Sequence, residues 1–109
     1  MTKKVIQIRI GEKEHILLTK VKSEIYEKTG CKMDYKDVIK YLYNVWANSP
    51  DKKMKIEPEE VDNKNKKFSE ILYLDEEAYE KFKKVREYYN TTNNNTVRIL
   101  VKMYENRNI

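Results

Sequence analysis

The feature that most constrains this chain is an order of structural signals that occurs twice. Residues 5–10 alternate in polarity, with Ile6, Ile8 and Ile10 on one side, which is the period of a half-buried β-strand. Residues 68–74 form a second strand-like segment, and each segment is followed by two stretches with helical periodicity. A lone strand leaves its backbone edge unpaired, so we expect the two strands to pair antiparallel.

Four helices are predicted around this pair of strands. The first covers residues 12–28 and ends at Gly30, and the second begins after the N-cap Asp34 and ends at residues 48–50. The third begins after the N-cap Asp75, and the fourth is expected to begin at the N-cap Asn95, after a polar turn over residues 90–94. The predicted fold class is therefore mostly α, with a two-stranded antiparallel β-ribbon.

The two halves align with each other. A shift of 64 positions places Ile8 on Leu72, and a shift of 61 positions places Asp34 on Asn95, which implies a three-residue deletion in the second half. An internal duplication is the simplest explanation. It predicts a first unit at residues 1–50, a linker at 51–67 that contains Pro58, and a second unit at 68–109, all sharing one core.

Composition and charge exclude several classes of protein. The net charge of +5 lies mainly in residues 1–50, which carry +4, so an anionic partner should contact the first half. Cys31 is the single cysteine, which excludes an intrachain disulfide and a cysteine-based zinc cluster, and two glycines leave no phosphate-binding loop. There is no apolar run of membrane-spanning length and no signal-peptide pattern at the start. We therefore expect an intracellular protein that is not an enzyme and has no cofactor, metal, membrane partner or small-molecule substrate.

One face of the predicted ribbon points away from the helices. Its six outward positions are Val5, Gln7, Arg9, Ser69, Ile71 and Tyr73. A two-stranded ribbon fits the DNA major groove, where Gln can pair with adenine and Arg with guanine. Alternatively, Gln7 and Arg9 are only the solvated face of an amphipathic strand, but the repeat and the basic first half favour DNA.

On these residues the chain resembles the ribbon-helix-helix family of DNA-binding regulators, over about residues 3–49 and 68–106. Members of that family normally pair two identical chains, so the resemblance implies two units in one chain that form a pseudo-dimer. The tandem arrangement and the composition, rich in Lys, Asn, Ile and Tyr, are similar to AvtR-type regulators of filamentous viruses that infect hyperthermophilic archaea. The implied function is sequence-specific binding of double-stranded DNA for transcription regulation, in the host cytoplasm if the chain is viral, with self-association on DNA as a further expectation.

The resemblance also implies roles for individual residues. The six outward strand positions would contact bases. Phosphates would be contacted by the amino-terminal arm and by the starts of the second and fourth helices, at Lys3, Lys4, Lys32, Met33, Asp34, Tyr35, Asn94, Asn95 and Thr96. Two departures stand out: Asp34 places a carboxylate where Ser or Thr is usual, and Ile71 and Tyr73 replace long polar side chains, although Ile71 could contact a thymine methyl group.

Simpler interpretations stay open beside these roles. Lys3 and Lys4 are either a phosphate-binding arm or only a soluble tail. His15 is expected on a helix surface, Cys31 in a turn and Trp46 in the core. The alternative function is a protein-interaction module, antitoxin-like or virion-associated, that uses the same fold.

Overall fold

The computed structural model describes residues 4–53 and 70–107, with the side chain of Arg107 excepted. The elements in chain order are β1 (Ile6–Ile10), α1 (Glu12–Thr29), α2 (Tyr35–Ala47), β2 (Glu70–Leu74), α3 (Glu76–Tyr89) and α4 (Asn93–Arg107). The predicted order of strand, helix and helix in each half is confirmed, and the fold is mostly helical with one two-stranded sheet. Our predictions for Lys3, for Ser69 and for most of the linker lie outside the described residues.

The two strands pair antiparallel within the chain, as their patterns predict. Ile6 lies opposite Leu74, Ile8 opposite Leu72, and Ile10 opposite Glu70. Ile8, Ile10, Leu72 and Leu74 are buried against the helices, which is the side that the alternation assigns to the core. Two segments from distant parts of the chain therefore complete one ribbon.

Local signals set most of the helix ends. α1 ends at Gly30, whose φ of 72° is a left-handed conformation that favours glycine, and its N–H donates to the carbonyl of Tyr26 at 2.8 Å. Asp34 is the N-cap of α2, and its N–H donates to the Asp37 carboxylate at 3.4 Å. Asp75 is the N-cap of α3, where its carboxylate accepts the N–H of Ala78 at 2.8 Å.

The predicted start of the fourth helix at an Asn95 cap is wrong. α4 begins at Asn93, because the Thr92 hydroxyl accepts the N–H of Asn95 at 3.2 Å and thereby supplies a cap three residues earlier. The starts of α2 and α4, at Tyr35 and Asn93, are consequently 58 positions apart and not the predicted 61. With this earlier start, Thr96 and Val97 lie in the core, and both are fully buried.

The core is built around α2 and α4: α2 contacts α1, α3, α4 and β2, and α4 contacts α1, α2, α3 and β1. The predicted stripe of α4, Ile99, Leu100, Met103 and Tyr104, is buried as expected. Burial extends beyond that stripe to Asn95, Thr96, Val97 and Val101. A helix that is covered on nearly all sides is a central element of the fold, so the polar residues that remain accessible on α4 lie mainly at its two ends.

Candidate nucleic-acid interface

The outward face of the ribbon carries the side chains that the sequence assigns to it. Val5, Gln7 and Arg9 are exposed at and along β1, and Ile71 and Tyr73 are exposed on β2. The register places Gln7 opposite Tyr73 and Arg9 opposite Ile71. Tyr73 is 59% exposed and Ile71 is 37% exposed, although the ring of Tyr73 and the side chain of Ile71 are apolar. The face therefore combines one cation and one amide with three apolar side chains.

The spacing of these side chains suits the edges of stacked base pairs. Gln7 and Arg9 are two residues apart on one strand, which corresponds to about 6.6 Å, or roughly two base-pair steps of 3.4 Å. Gln and Arg can each form paired hydrogen bonds to a base, with adenine and guanine respectively. Their cross-strand neighbours lie about 5 Å away and are suited to apolar contact with a thymine methyl group.

The end of β1 is bound to the start of α4. The N–H of Gly11 donates to Asn94 Oδ1 at 2.8 Å, and Asn93 Nδ2 donates to the carbonyl of Arg9 at 3.3 Å. Asn93 in turn accepts a hydrogen bond from the Arg86 guanidinium at 2.7 Å. These bonds fix the backbone behind Arg9 and place the start of α4 beside the ribbon.

The three residues predicted to contact phosphate at the start of α4 have other partners. Asn94 accepts from Gly11, as described above. The side chains of Asn95 and Thr96 are buried, at 7% and 0% exposure. The N–H of Asn95 donates to the Thr92 hydroxyl at 3.2 Å, and the N–H of Thr96 donates to the Thr92 carbonyl at 3.0 Å. Of these three residues, only Asn94 keeps a partly accessible side chain.

The residues predicted to contact phosphate at the start of α2 are more accessible. Lys32 and Asp34 are exposed, whereas Met33 and Tyr35 are partly buried against the core. The Tyr35 hydroxyl shares a hydrogen bond of 2.9 Å with Thr19, which fixes its ring against α1. Lys4, just before β1, is exposed as well. Among the described residues predicted to contact phosphate, the exposed cations are thus Lys4 and Lys32, both in the first half of the chain.

Ion pairs that no sequence pattern predicts join the two halves of the chain. Lys40 on α2 contacts Asp75 at 2.8 Å and Glu77 at 3.1 Å, both at the start of α3. Arg98 on α4 contacts Glu14 on α1 at 3.5 Å. Lys40 and Arg98 are 58 positions apart, the same offset as the starts of their helices. In each half, a cation on the second helix therefore forms an ion pair at the first helix of the other half.

Hydrogen bonding within the first pair shifts the titration of both partners. The hydrogen bond from Lys40, and next the N–H of Ala78, hold the pKa of Asp75 below its ordinary value. The hydrogen bond to Asp75, and next that to Glu77, raise the pKa of Lys40. The pKa of Glu77 is lowered mainly by its hydrogen bond with Lys40. All three pKa shifts favour the charged forms, so Lys40, Asp75 and Glu77 stay ionised near neutral pH.

Glu14 is unusual because it is a carboxylate with only 3% exposure. Its Oε2 atom has no hydrogen-bond partner, although Arg98 lies 3.5 Å away. A Cβ at Gly11 would lie 2.8 Å from Glu14 Oε1, so the absence of a side chain at Gly11 leaves room for the carboxylate. No sequence signal distinguished Glu14 from the exposed acids of a helix start.

Within residues 4–53 and 70–107, no group of three or more potential ligands is arranged to hold a metal ion. In the same part of the chain, no helix is both long and apolar enough to cross a membrane. Comparison with protein-family models, with curated proteins and with solved structures finds no match for this chain.

Proposed function

We propose that this protein is a sequence-specific regulator of transcription that binds double-stranded DNA through its β-ribbon. In this proposal the chain is a tandem ribbon-helix-helix protein whose two units act as a pseudo-dimer. The observation that carries it is the pairing of β1 with β2, which exposes Gln7 and Arg9 beside Ile71 and Tyr73 on one face. A ribbon of this width fits the major groove, where these side-chain types can distinguish base pairs.

Positive groups around the ribbon would fix its position on the sugar-phosphate backbone. Lys4 and Lys32 are exposed, and the start of α2 presents the positive end of a helix dipole. Asp34 at that start opposes a close phosphate, so we assign the larger share of phosphate contact to the lysines. Because such contacts release counterions, the logarithm of affinity should fall linearly with the logarithm of salt concentration.

The two strands would contribute unequally to specificity. β1 offers Gln7 and Arg9, which form directional hydrogen bonds, whereas the described part of β2 offers apolar contacts. One chain should therefore recognise an unequal site rather than a true palindrome. As the resemblance implies, the proposal includes an origin in a filamentous virus of a hyperthermophilic archaeon, action inside the host cell and self-association on DNA.

Selection of binding sites from random duplexes tests the proposal. Wild type should recover a defined motif, and Arg9→Ala and Gln7→Ala should each lose base preference at particular positions, by about 1–3 kcal/mol for each contact. Tyr73→Ala should change base choice less. Lys84→Ala, an exposed lysine on α3, is the control for loss of charge alone. If wild type and Arg9→Ala recover the same motif with the same stringency, the ribbon does not read the bases.

A second candidate function is a protein-interaction module with the same fold. It is favoured by one observation: Val5, Ile71 and Tyr73 are exposed apolar side chains on the ribbon face. Exposed apolar clusters of this kind occur at protein interfaces. If wild type binds no duplex at moderate salt, this second function becomes the preferred one.

A further inference from the structure

One stripe on the exposed side of α1 carries no charge, although nothing in the described chain covers it. Ile16 is 57% exposed and Tyr26 is 53% exposed. Thr19 and Ser23 lie between them at helical spacing, so the four residues form one stripe along the helix. Charged residues normally occupy such a stripe on a solvated helix.

The second half of the chain provides an internal reference for this face. α3 starts 64 positions after α1, and that offset replaces the stripe by Glu80, Lys83, Glu87 and Asn90. Lys83 and Glu87 form an ion pair of 3.9 Å on that surface. The corresponding position in the same fold is therefore compatible with a charged face, and the fold does not require the uncharged stripe on α1.

A groove runs beside the stripe, between α1 and the segment that leads into α2. It has a volume of about 510 Å³ and is open to solvent, with Tyr26, Met33 and Tyr35 among its lining residues. Tyr35 is held in place by the 2.9 Å hydrogen bond with Thr19 and by Lys22, whose Nζ lies 4.7 Å from the centre of its ring. The groove wall is thus preformed.

The shape and charge of the groove indicate the kind of ligand that it fits. Small-molecule sites are enclosed, whereas open surfaces that contain Tyr and Met are typical of protein interfaces. Lys22 and Lys32 line the groove, with Glu27 as the one acid among its lining residues. Residues 19–36 as a whole contain five lysines and three acids. A negatively charged segment would therefore complement the charge of this surface.

We infer that the groove docks an acidic peptide segment of a partner protein, one that presents an aromatic or aliphatic side chain next to a carboxylate. The apolar side chain packs between Tyr26 and Met33, and the carboxylate meets Lys32. This contact lies on α1 and the segment before α2, away from the ribbon that would contact the bases. It shares Lys32 with the proposed phosphate contacts, so an acidic segment bound here would compete with DNA for that lysine.

A random-peptide library displayed on phage and selected on the full-length chain tests this inference. The enriched peptides should combine acidic residues with a neighbouring aromatic or aliphatic residue. For a selected peptide, Tyr26→Ala and Lys32→Glu should each weaken binding about tenfold, the effect of a hot-spot side chain. Tyr88→Ala and Lys84→Glu are matched controls on α3, since Tyr88 is 59% exposed and Lys84 is also exposed, and they should change binding less than about twofold.

Three outcomes overturn the inference. Failure to enrich acidic peptides does so, and so does an equal loss of binding in the α3 controls. Duplex binding is measured for the same variants: if Tyr26→Ala weakens it as much as Arg9→Ala does, the groove belongs to the DNA interface. Failure of the wild type to bind any duplex would count against the proposed function but would leave the peptide result independent. Lys32→Glu changes an exposed residue before α2, so its effect on peptide binding provides the test even if Tyr26→Ala does not fold. Its effect on duplex binding belongs to the proposed phosphate contact.

Discussion

Replacing Asp75 by asparagine should separate two interactions that one carboxylate makes. Oδ1 of Asp75 accepts the N–H of Ala78 at 2.8 Å and caps α3, while Oδ2 accepts from Lys40 at 2.8 Å. Asparagine caps a helix about as well as aspartate, but it carries no charge. Asp75→Asn therefore removes the ion pair alone, whereas Asp75→Ala removes the cap as well.

The structure sets the expected size of each loss. The Lys40 and Asp75 side chains are 24% and 31% exposed, so their ion pair is partly screened by solvent. A pair of this kind contributes about 0.2–1 kcal/mol, and we expect Asp75→Asn to lower the free energy of unfolding by an amount in that range. Loss of an N-cap costs typically about 1 kcal/mol, so Asp75→Ala should be about 1 kcal/mol less stable than Asp75→Asn.

The pH dependence follows from the lowered pKa of Asp75. Because the folded pKa lies below the ordinary value of 3.8, the stabilisation is fully present above pH 3.8 and is lost as pH falls through the folded pKa. At high pH the raised pKa of Lys40 sets the limit. The stabilisation that comes from its charged form is present below pH 10.5 and is lost as pH rises through the pKa of Lys40 in the folded protein. The difference in stability between wild type and Asp75→Asn should thus be constant near neutral pH and shrink in acid.

Urea unfolding, followed by the fluorescence of Trp46, measures these differences. A double-mutant cycle with Lys40→Met isolates the coupling between the two side chains. A coupling energy of zero at pH 7 would contradict a stabilising ion pair. A stability difference between wild type and Asp75→Asn that persists unchanged well below the folded pKa of Asp75 would contradict it as well.

Three further predictions concern the core, a helix end and the DNA contacts. Phe82→Ala should lower the free energy of unfolding by about 3–5 kcal/mol in urea titrations, because Phe82 is fully buried and its loss leaves a cavity. Gly30→Ala should cost about 1 kcal/mol in the same assay, and Gly30→Asn less, because the φ of 72° penalises a side chain although no atom lies within 4 Å of the added Cβ. Lys4→Ala should weaken binding to all duplexes alike and reduce the slope of log affinity against log salt by about 1, in contrast to the position-dependent effect of Arg9→Ala.

Much of the fold could be predicted because local patterns and long-range packing agree. The alternation of Ile6, Ile8 and Ile10 identifies β1, and an unpaired strand requires a partner, for which residues 68–74 provide a second strand-like pattern. Asp34 and Asp75 occupy the cap positions that their sequence neighbours indicate. The exposure of Gln7 and Arg9 follows from the same alternation, whereas their contact with bases stays a prediction.

The features that the sequence does not predict depend on competition between two possible cap residues or on how the two halves of the chain pack together. Thr92 and Asn95 are both good cap residues, and the structure uses Thr92, with Thr96 and Val97 buried in the core. The contact of Arg98 with Glu14 joins residues 84 positions apart, and no local pattern reports such a pair. The groove beside α1 likewise depends on how the segment before α2 lies against the helix.

The separation of the two ribbon strands along the chain affects how the protein is made. β2 begins 64 residues after β1, so at about 5–20 residues per second the ribosome delivers it about 3–13 s later. During that interval the Ile face of β1 has no partner strand and is exposed to aggregation or to chaperones. Contacts over such a separation also slow folding relative to a helical protein of the same length. A nascent chain that stops before Glu70 has no ribbon at all, so premature termination would leave none of the proposed DNA-reading surface.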